Sequence, residues 1–420
     1  MTTTTSLGTR DVSRPAFIAL IASLMALNAL AIDVMLPALP YMGEALGIAN
    51  ENERQFVIGA YMIGFGFAQL FYGPISDRFG RRVPVFFGLA LYVAAAVGAA
   101  FAPSFASLLI IRIIQGVGAA STRVIATSIV RDRYSGRAMA EVMSLVFMVF
   151  MIIPIVAPGI GQIILLQAPW QGIFIFMGVL ATVIGLTAYF FLPETLAIGN
   201  RRPLTVGAVF DGFSIVFTNR VAFMYGTAGM LTFGALFGFI STSQQIFVDI
   251  YGLGPWFPLA FAAMACFMSL ASFLNSRVVA RIGMRRIAHF ALLIYIAVAG
   301  AWALLSAFMP LPFWLFFLML TTVMFMMGWV GSNMNSLSME PLGAVAGTAS
   351  SVFGFLQTIG GAAIGSFIGQ HFNGTTTPVA LGYFTMGTLA LVCVLIAERG
   401  RLFGVGAEYS HTDFSHHEAH

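Results

Sequence analysis

Gly73-Pro74-Ile75-Ser76-Asp77-Arg78-Phe79-Gly80-Arg81-Arg82 is the stretch on which the reading of this chain turns. It crowds charge into a short connection between two runs, 55–75 and 83–102, that carry no charge at all. Charge confined to connections between apolar runs of about 20 residues is the pattern of a chain that crosses a bilayer. The arrangement returns in the second half of the chain as Ala280-Arg281-Ile282-Gly283-Met284-Arg285, with Arg281 in the place of Arg78 and Ala280 in the place of Asp77. A connection repeated at this distance points to two related halves.

Composition agrees. Of 420 residues, 59% are hydrophobic and only 9% charged, with a mean hydropathy of +0.92. A soluble domain carries about 25% charge to solvate its surface. Soluble, disordered and secreted disulfide-scaffold classes are excluded. Cys266 and Cys393 lie in separate apolar runs and carry no redox information. The formal charge of +4 does not indicate nucleic acid, because the arginines are scattered in short clusters with no basic face or binding fold. Lysine is absent.

Twelve runs reach spanning length: about 15–37, 55–75, 83–102, 106–128, 139–166, 170–192, 221–246, 255–275, 287–307, 312–334, 345–370 and 378–397. Their continuity excludes a β-barrel, which needs alternating segments of about ten residues. The expected fold is therefore an all-α polytopic membrane protein, with twelve transmembrane helices in two six-helix halves. The halves are 15–192 and 221–397, joined by a linker at 193–220 and flanked by an N-terminal segment, 1–14, and a tail, 398–420. With the N-terminus inside, 17 of the 20 arginines fall on the cytoplasmic side, so both termini are expected there. Arg14, an apolar run and Ala29-Leu30-Ala31 also fit a cleaved signal peptide, but cleavage would leave eleven spans and break the symmetry.

The 73–82 stretch resembles the loop signature of the major facilitator superfamily, G-x-x-x-D-R-x-G-R-R/K. Gly73 lets helices approach, Gly80 permits a tight turn, and Asp77 can accept from a helix N-terminus or an arginine. Together with Arg78, Arg81 and Arg82 these residues are expected to form a conformational latch, made in one conformation and broken in the other; a generic positive-inside loop is the other reading. The second-half copy lacks the acid, because Ala280 replaces it. Arg112-Ile113-Ile114-Gln115-Gly116-Val117-Gly118, followed by Ile129-Val130-Arg131-Asp132, is similar to the fourth-span signature of drug:proton antiporters. Ile32-Asp33-Val34-Met35-Leu36-Pro37 and Met339-Glu340-Pro341-Leu342-Gly343 resemble the bicyclomycin/chloramphenicol-resistance branch. The fifth span departs from the antiporter pattern: Pro154, Ala157, Pro158 and Gly161 stand where a glycine-rich signature is usual, with Ala157 and Gln162 replacing two glycines. Two prolines four apart still bend a helix, making this a hinge; close packing of small residues is the other reading.

Charges at membrane depth cost several kcal/mol unless paired or facing water. Asp33, in span one, and Arg112, in span four, lie at similar depth on antiparallel spans and are expected to meet. Asp33 is read as the proton-carrying carboxylate and Arg112 as its electrostatic control; a static ion pair, or a cap near Pro37, is the alternative. Arg123 lies eleven residues after Arg112 and returns to the same helix face, roughly 16 Å away. Gln115 lies near that face. Arg123 is expected to receive an anionic or strongly polar part of a substrate, with snorkelling or pairing to Glu141 as alternatives. Asn28 is a further cavity candidate, although its rotation from Asp33 does not point clearly inward.

Gln244, Gln245, Asn333 and Asn335 are expected to bond between helices, and Gly361, Gly365 and Gly369 to pack closely. His411, His416, His417 and His420 match no defined metal spacing. An intramembrane hydrolase needs a nucleophile with a base or metal ligands. Without lysine there is no Ser/Lys dyad, and His289 is the only histidine inside a span. An enzyme is not expected, nor is any cofactor, since the proton gradient would supply the energy. The expected function is proton-coupled efflux of small amphipathic drugs across the cytoplasmic membrane by alternating access. The alternative is a proton-linked importer or facilitator of a small metabolite. A monomer in the lipid bilayer, with protons and a small-molecule substrate as its ligands, completes the expectation.

Overall fold

The computed structural model describes residues 13–134, 136–196, 199, 201 and 214–404. Most of the expected linker and the tail histidines lie outside the described residues. The described chain contains twelve long helices: α1 (Arg14–Asp33), α2 (Phe56–Phe79), α3 (Arg82–Ala100), α4 (Phe105–Arg133), α5 (Gly136–Leu165), α6 (Gln171–Phe191), α7 (Arg220–Gln244), α8 (Phe257–Ile282), α9 (Met284–Phe308), α10 (Phe313–Met339), α11 (Ala346–Gln370) and α12 (Thr377–Ala397). Eleven of the described spans are long and apolar enough to cross a membrane outright, and α5 contributes the apolar stretch Ile152–Leu165. No strand occurs among the described residues.

Local chemistry sets the ends. Ser104 and Ser107 form a capping box at the start of α4, and the Asn219 side chain accepts from the Ala222 N–H at the start of α7. Gly80 and Gly283 terminate α2 and α8 at φ +91°, a left-handed conformation that favours glycine. The repeated connection is therefore repeated in backbone geometry as well. After α1 the chain continues through a 3-10 turn, Leu36–Ala38, into a short helix, Leu39–Ala45. Pro37 has no N–H to offer the Asp33 carbonyl four residues earlier, so the α-helix ends at Asp33.

The two halves pack alike. In the first, α2 packs on α4, α4 on α3, α3 on α6, and α1 on α5; in the second, α8 packs on α10, α10 on α9, α9 on α12, and α7 on α11. Gly361 and Gly365 lie against Gly234 and Gly238 at the α7–α11 crossing, as expected of close packing. The halves meet through a symmetric pair of contacts, α2 with α11 and α5 with α8. Along the first seam Phe67 meets Phe355 edge-on at 5.4 Å, and Gln69 Nε2 donates to Thr358 Oγ1 at 3.0 Å.

Candidate functional site

Asp33 sits where α1 ends and is 5% exposed. No hydrogen bond or ion pair reaches its carboxylate among the described residues. Its neighbourhood is set by α5: a Cβ on Gly161 would run into the Val34 carbonyl oxygen and the Pro37 ring. Ala157, one turn earlier on α5, is fully buried, and Pro154 and Pro158 lie inside an uninterrupted helix. The expected span-five hinge is thus a contact surface for the break in α1, carried on the helix that also packs against α8 of the other half.

Arg112 is 0% exposed and does not pair with Asp33, contrary to expectation. Its Nε donates to the Val57 carbonyl at 3.2 Å, Nη2 to the Ala31 carbonyl at 3.0 Å, and Nη1 to Gln115 Oε1 at 2.6 Å. The guanidinium also lies 4.5 Å from the centroid of the Tyr61 ring. Arg112 does lie near the depth of Asp33, since Ala31 is two residues from it. Rotation decides the rest: at about 100° per residue those two positions face different ways, and three neutral acceptors satisfy the guanidinium first. The close crossing behind this is made by Gly116, where a Cβ would strike the Tyr61 carbonyl of α2.

Arg123 and Arg112 do share a face. Arg123 lies 5.9 Å from the Phe65 ring, and Phe65 stacks on Tyr61 at 6.1 Å, so both cations rest on one aromatic pair of α2. Among the described residues the Arg123 guanidinium has no hydrogen-bond acceptor and no acidic partner. Asn28 is buried within the first half: its Nδ2 donates to Thr122 Oγ1 at 3.2 Å, and Tyr61 donates to its Oδ1 at 3.4 Å. Gln115 is fully buried, and its Nε2 has no hydrogen-bond partner among the described residues.

The latch residues converge on Arg81, which is 2% exposed. Its guanidinium donates to Asp77 Oδ1 at 2.6 Å, to Asp132 Oδ2 at 2.7 Å at the end of α4, and to Ser76 Oγ at 2.8 Å. Glu194, after α6, accepts from the backbone N–H groups of Arg81 and Arg82 at 2.8 and 3.1 Å. Arg82 donates to the Tyr189 carbonyl at 2.9 Å, Arg78 is exposed beside Phe79, and Gly73 faces Ser351 of α11. Asp77 therefore pairs within its own connection, and Arg81 ties α2, α4 and the end of α6 together.

The second half has a latch after all. Arg285 donates through Nε to Glu398 Oε1 at 2.9 Å and through Nη2 to Glu340 Oε2 at 3.1 Å. Glu340 follows α10 as Asp132 ends α4, and Glu398 follows α12 as Glu194 follows α6. The acid missing at Ala280 is replaced by acids from the ends of other helices. Glu398 also accepts from Tyr225 at 2.8 Å, and the Tyr225 hydroxyl lies 3.0 Å from His289 Nε2.

On the side opposite the arginine clusters the halves are clasped by amides, which sequence reasoning passed over except for Gln245. Gln55 Nε2 donates to Gln245 Oε1 at 2.6 Å, and Gln245 Nε2 to Asn52 Oδ1 at 2.9 Å. Asn52 Nδ2 donates to the Phe372 carbonyl at 2.8 Å, and Gln370 Nε2 to the Asn52 carbonyl at 2.8 Å. Asn333 donates to Asn275 at 2.8 Å, bonding α10 to α8 as expected.

A family model described as Major Facilitator Superfamily matches residues 21–366. The chain is 30% identical over 383 residues to a bicyclomycin resistance protein homolog of Haemophilus influenzae, covering 90% of this chain and 94% of that protein. It is 28% identical over 389 residues to a chloramphenicol resistance protein of Pseudomonas aeruginosa, covering 88% of each. Among solved structures, the human organic anion transporter MFSD10 superposes with a TM-score of 0.63 at 19% identity, over 91% of this chain and 98% of that one. That last likeness bears on the fold.

Proposed function

We propose that this chain, which belongs to the Major Facilitator Superfamily, exports small amphipathic compounds from the cytoplasm in exchange for protons. The arginine-rich side faces the cytoplasm, placing both termini there and the protein in the inner membrane. The halves rock about their seam and expose the space between them to each side in turn. Resistance to antibiotics in the names of two relatives supports export over uptake.

The observation that carries the reading is the buried carboxylate of Asp33 at the break in α1, which no described residue pairs. A carboxylate at membrane depth without a fixed partner is suited to carry a proton. Arg112, bonded to the backbone two residues away, holds a positive charge nearby and biases that exchange. Gln115 holds Arg112 in place, Asn28 ties α1 to Thr122 of α4 and Tyr61 of α2 rather than opening to the substrate, Arg123 lines the substrate space, and the Arg81 cluster keeps the cytoplasmic end of the first half rigid. Each proton entering through 100 mV supplies about 2.3 kcal/mol, roughly a fifty-fold gradient.

The test is Asp33→Asn in proteoliposomes loaded with chloramphenicol. An imposed proton gradient should drive export by the wild type and not by the variant, while the variant still binds the drug. Full proton-driven export by Asp33→Asn would end the assignment.

A further inference from the structure

The face of α4 that meets α2 carries a cation that no described residue answers; the side chain of Glu141, the acid expected as its alternative partner, lies outside the described residues. Arg112 and Arg123 lie on one face of α4, yet their surroundings differ. Arg112 is closed in by two carbonyls, Gln115 and the Tyr61 ring. Arg123, half-buried, has the Phe65 ring and, among the described residues, no acceptor for its guanidinium. A guanidinium offers five N–H donors, and leaving them unanswered at membrane depth is costly.

Arg123 is turned inward. Gly116, two turns earlier on the same face, packs on α2, and the adjacent Thr122 bonds Asn28 of α1. Gly66, next to Phe65, lies against Ile359 of α11. The guanidinium is therefore at the seam between the halves. The second half brings no compensating charge there: none of the helices α7 to α12 contains an Asp or Glu. Asp33 is close to the level of Arg112, roughly 16 Å along α4 from Arg123.

We propose that the substrate is an amphipathic organic anion, whose acidic group binds Arg123 while its apolar or aromatic body lies on Phe65 and Tyr61. The proposal rests on the transport reading above and narrows its substrate class. A carboxylate matches the guanidinium fork with two parallel hydrogen bonds, which a neutral amide cannot equal. Export of such an anion against an entering proton moves two charges per cycle, so the membrane potential acts on it twice.

The experiment measures binding to purified protein in lipid nanodiscs, using aryl carboxylates paired with their carboxamides: 1-naphthoate with 1-naphthamide, and cinnamate with cinnamamide. Wild type should prefer the carboxylate at least tenfold in one pair or more. Arg123→Gln should bring that ratio to about one, and Arg123→Lys should keep part of it. Because no described acid pairs with Arg123, Arg123→Gln should strand none and unfold at or above the wild-type temperature; a structural arginine, or one paired with Glu141, would lower it. No preference in wild type, or a preference that survives Arg123→Gln, overturns the proposal. Chloramphenicol-driven proton flux by the same wild-type protein reconstituted in sealed proteoliposomes tests the transport reading separately, since that drug carries no acidic group for Arg123.

Discussion

Gly161 of α5 lies so close to the carbonyl oxygen of Val34, the residue that caps α1, that no Cβ fits between them. The contact falls one residue beyond Asp33, so the glycine fixes how closely α5 approaches the site of the unpaired carboxylate. Gly161→Ala should push the two helices apart at a cost of about 1–3 kcal/mol, with proton-driven export falling by roughly tenfold or more. Gly159, two residues away, has open space around its missing Cβ. Gly159→Ala should be neutral or slightly stabilising, because alanine favours the helix. Thermal unfolding and export rates of the two variants, side by side, check this. Equal effects would show that the α1 contact has no special part.

The paired latches differ in depth, and stability should follow. Each arginine holds one largely buried acid and one exposed acid, Asp132 (14%) and Asp77 (40%) for Arg81, Glu398 (17%) and Glu340 (48%) for Arg285, but the Arg81 side chain is 3% exposed and that of Arg285 15%. Removing a cation from a buried cluster strands its acids, at a cost approaching 3–5 kcal/mol when all members are buried; exposed pairs are worth about 1 kcal/mol or less. Arg81→Ala should therefore lower the apparent unfolding temperature more than Arg285→Ala. Arg81→Lys should fall between, since an ammonium cannot fork to both aspartates. An Arg285→Ala loss equal to that of Arg81→Ala would contradict the ranking.

What was legible in the sequence follows from how each feature is encoded. The twelve spans are local runs of apolar residues, and they were found. Four of the helices run past the apolar residues on the arginine side, α2 to Phe79, α4 to Arg133, α8 to Ile282 and α10 to Met339, whereas α6 and α12 end with theirs. Charged residues end hydropathy before they end a helix, and those last turns carry the latch. Gly80 and Gly283 were readable because a positive φ favours glycine. The acids that serve Arg285 were not, because Glu340 and Glu398 lie 55 and 113 residues away along the chain. Asp33 and Arg112 show the same limit from another side. Depth follows from counting residues along two helices, but pairing depends on rotation about each axis and on which backbone carbonyls the crossing brings near.

His289 gives the second half a sensitivity to acid that its hydrogen bonds define. The Phe403 N–H donates to His289 Nδ1 at 3.0 Å, holding the chain just beyond α12 against α9. Nδ1 is therefore the acceptor, so Nε2 carries the hydrogen and donates to the Tyr225 oxygen, leaving the Tyr225 O–H for Glu398. The charged groups around this relay are Glu398 and Arg285, with Glu340 beyond Arg285. Protonation puts a hydrogen on Nδ1 facing the Phe403 N–H, and that bond is lost. The sign is fixed: the strap is held when His289 is neutral and released when it is protonated, so acid loosens it. Losing one such bond is worth about 0.5–1.5 kcal/mol, or roughly a two- to tenfold drop in hydrogen-exchange protection at 402–404, after correction for intrinsic rates. His289→Gln, whose amide can accept from Phe403 and donate to Tyr225, should hold the strap at both pH 5.5 and pH 7.5. An acid-dependent loss of protection that is the same in His289→Gln would locate the switch elsewhere.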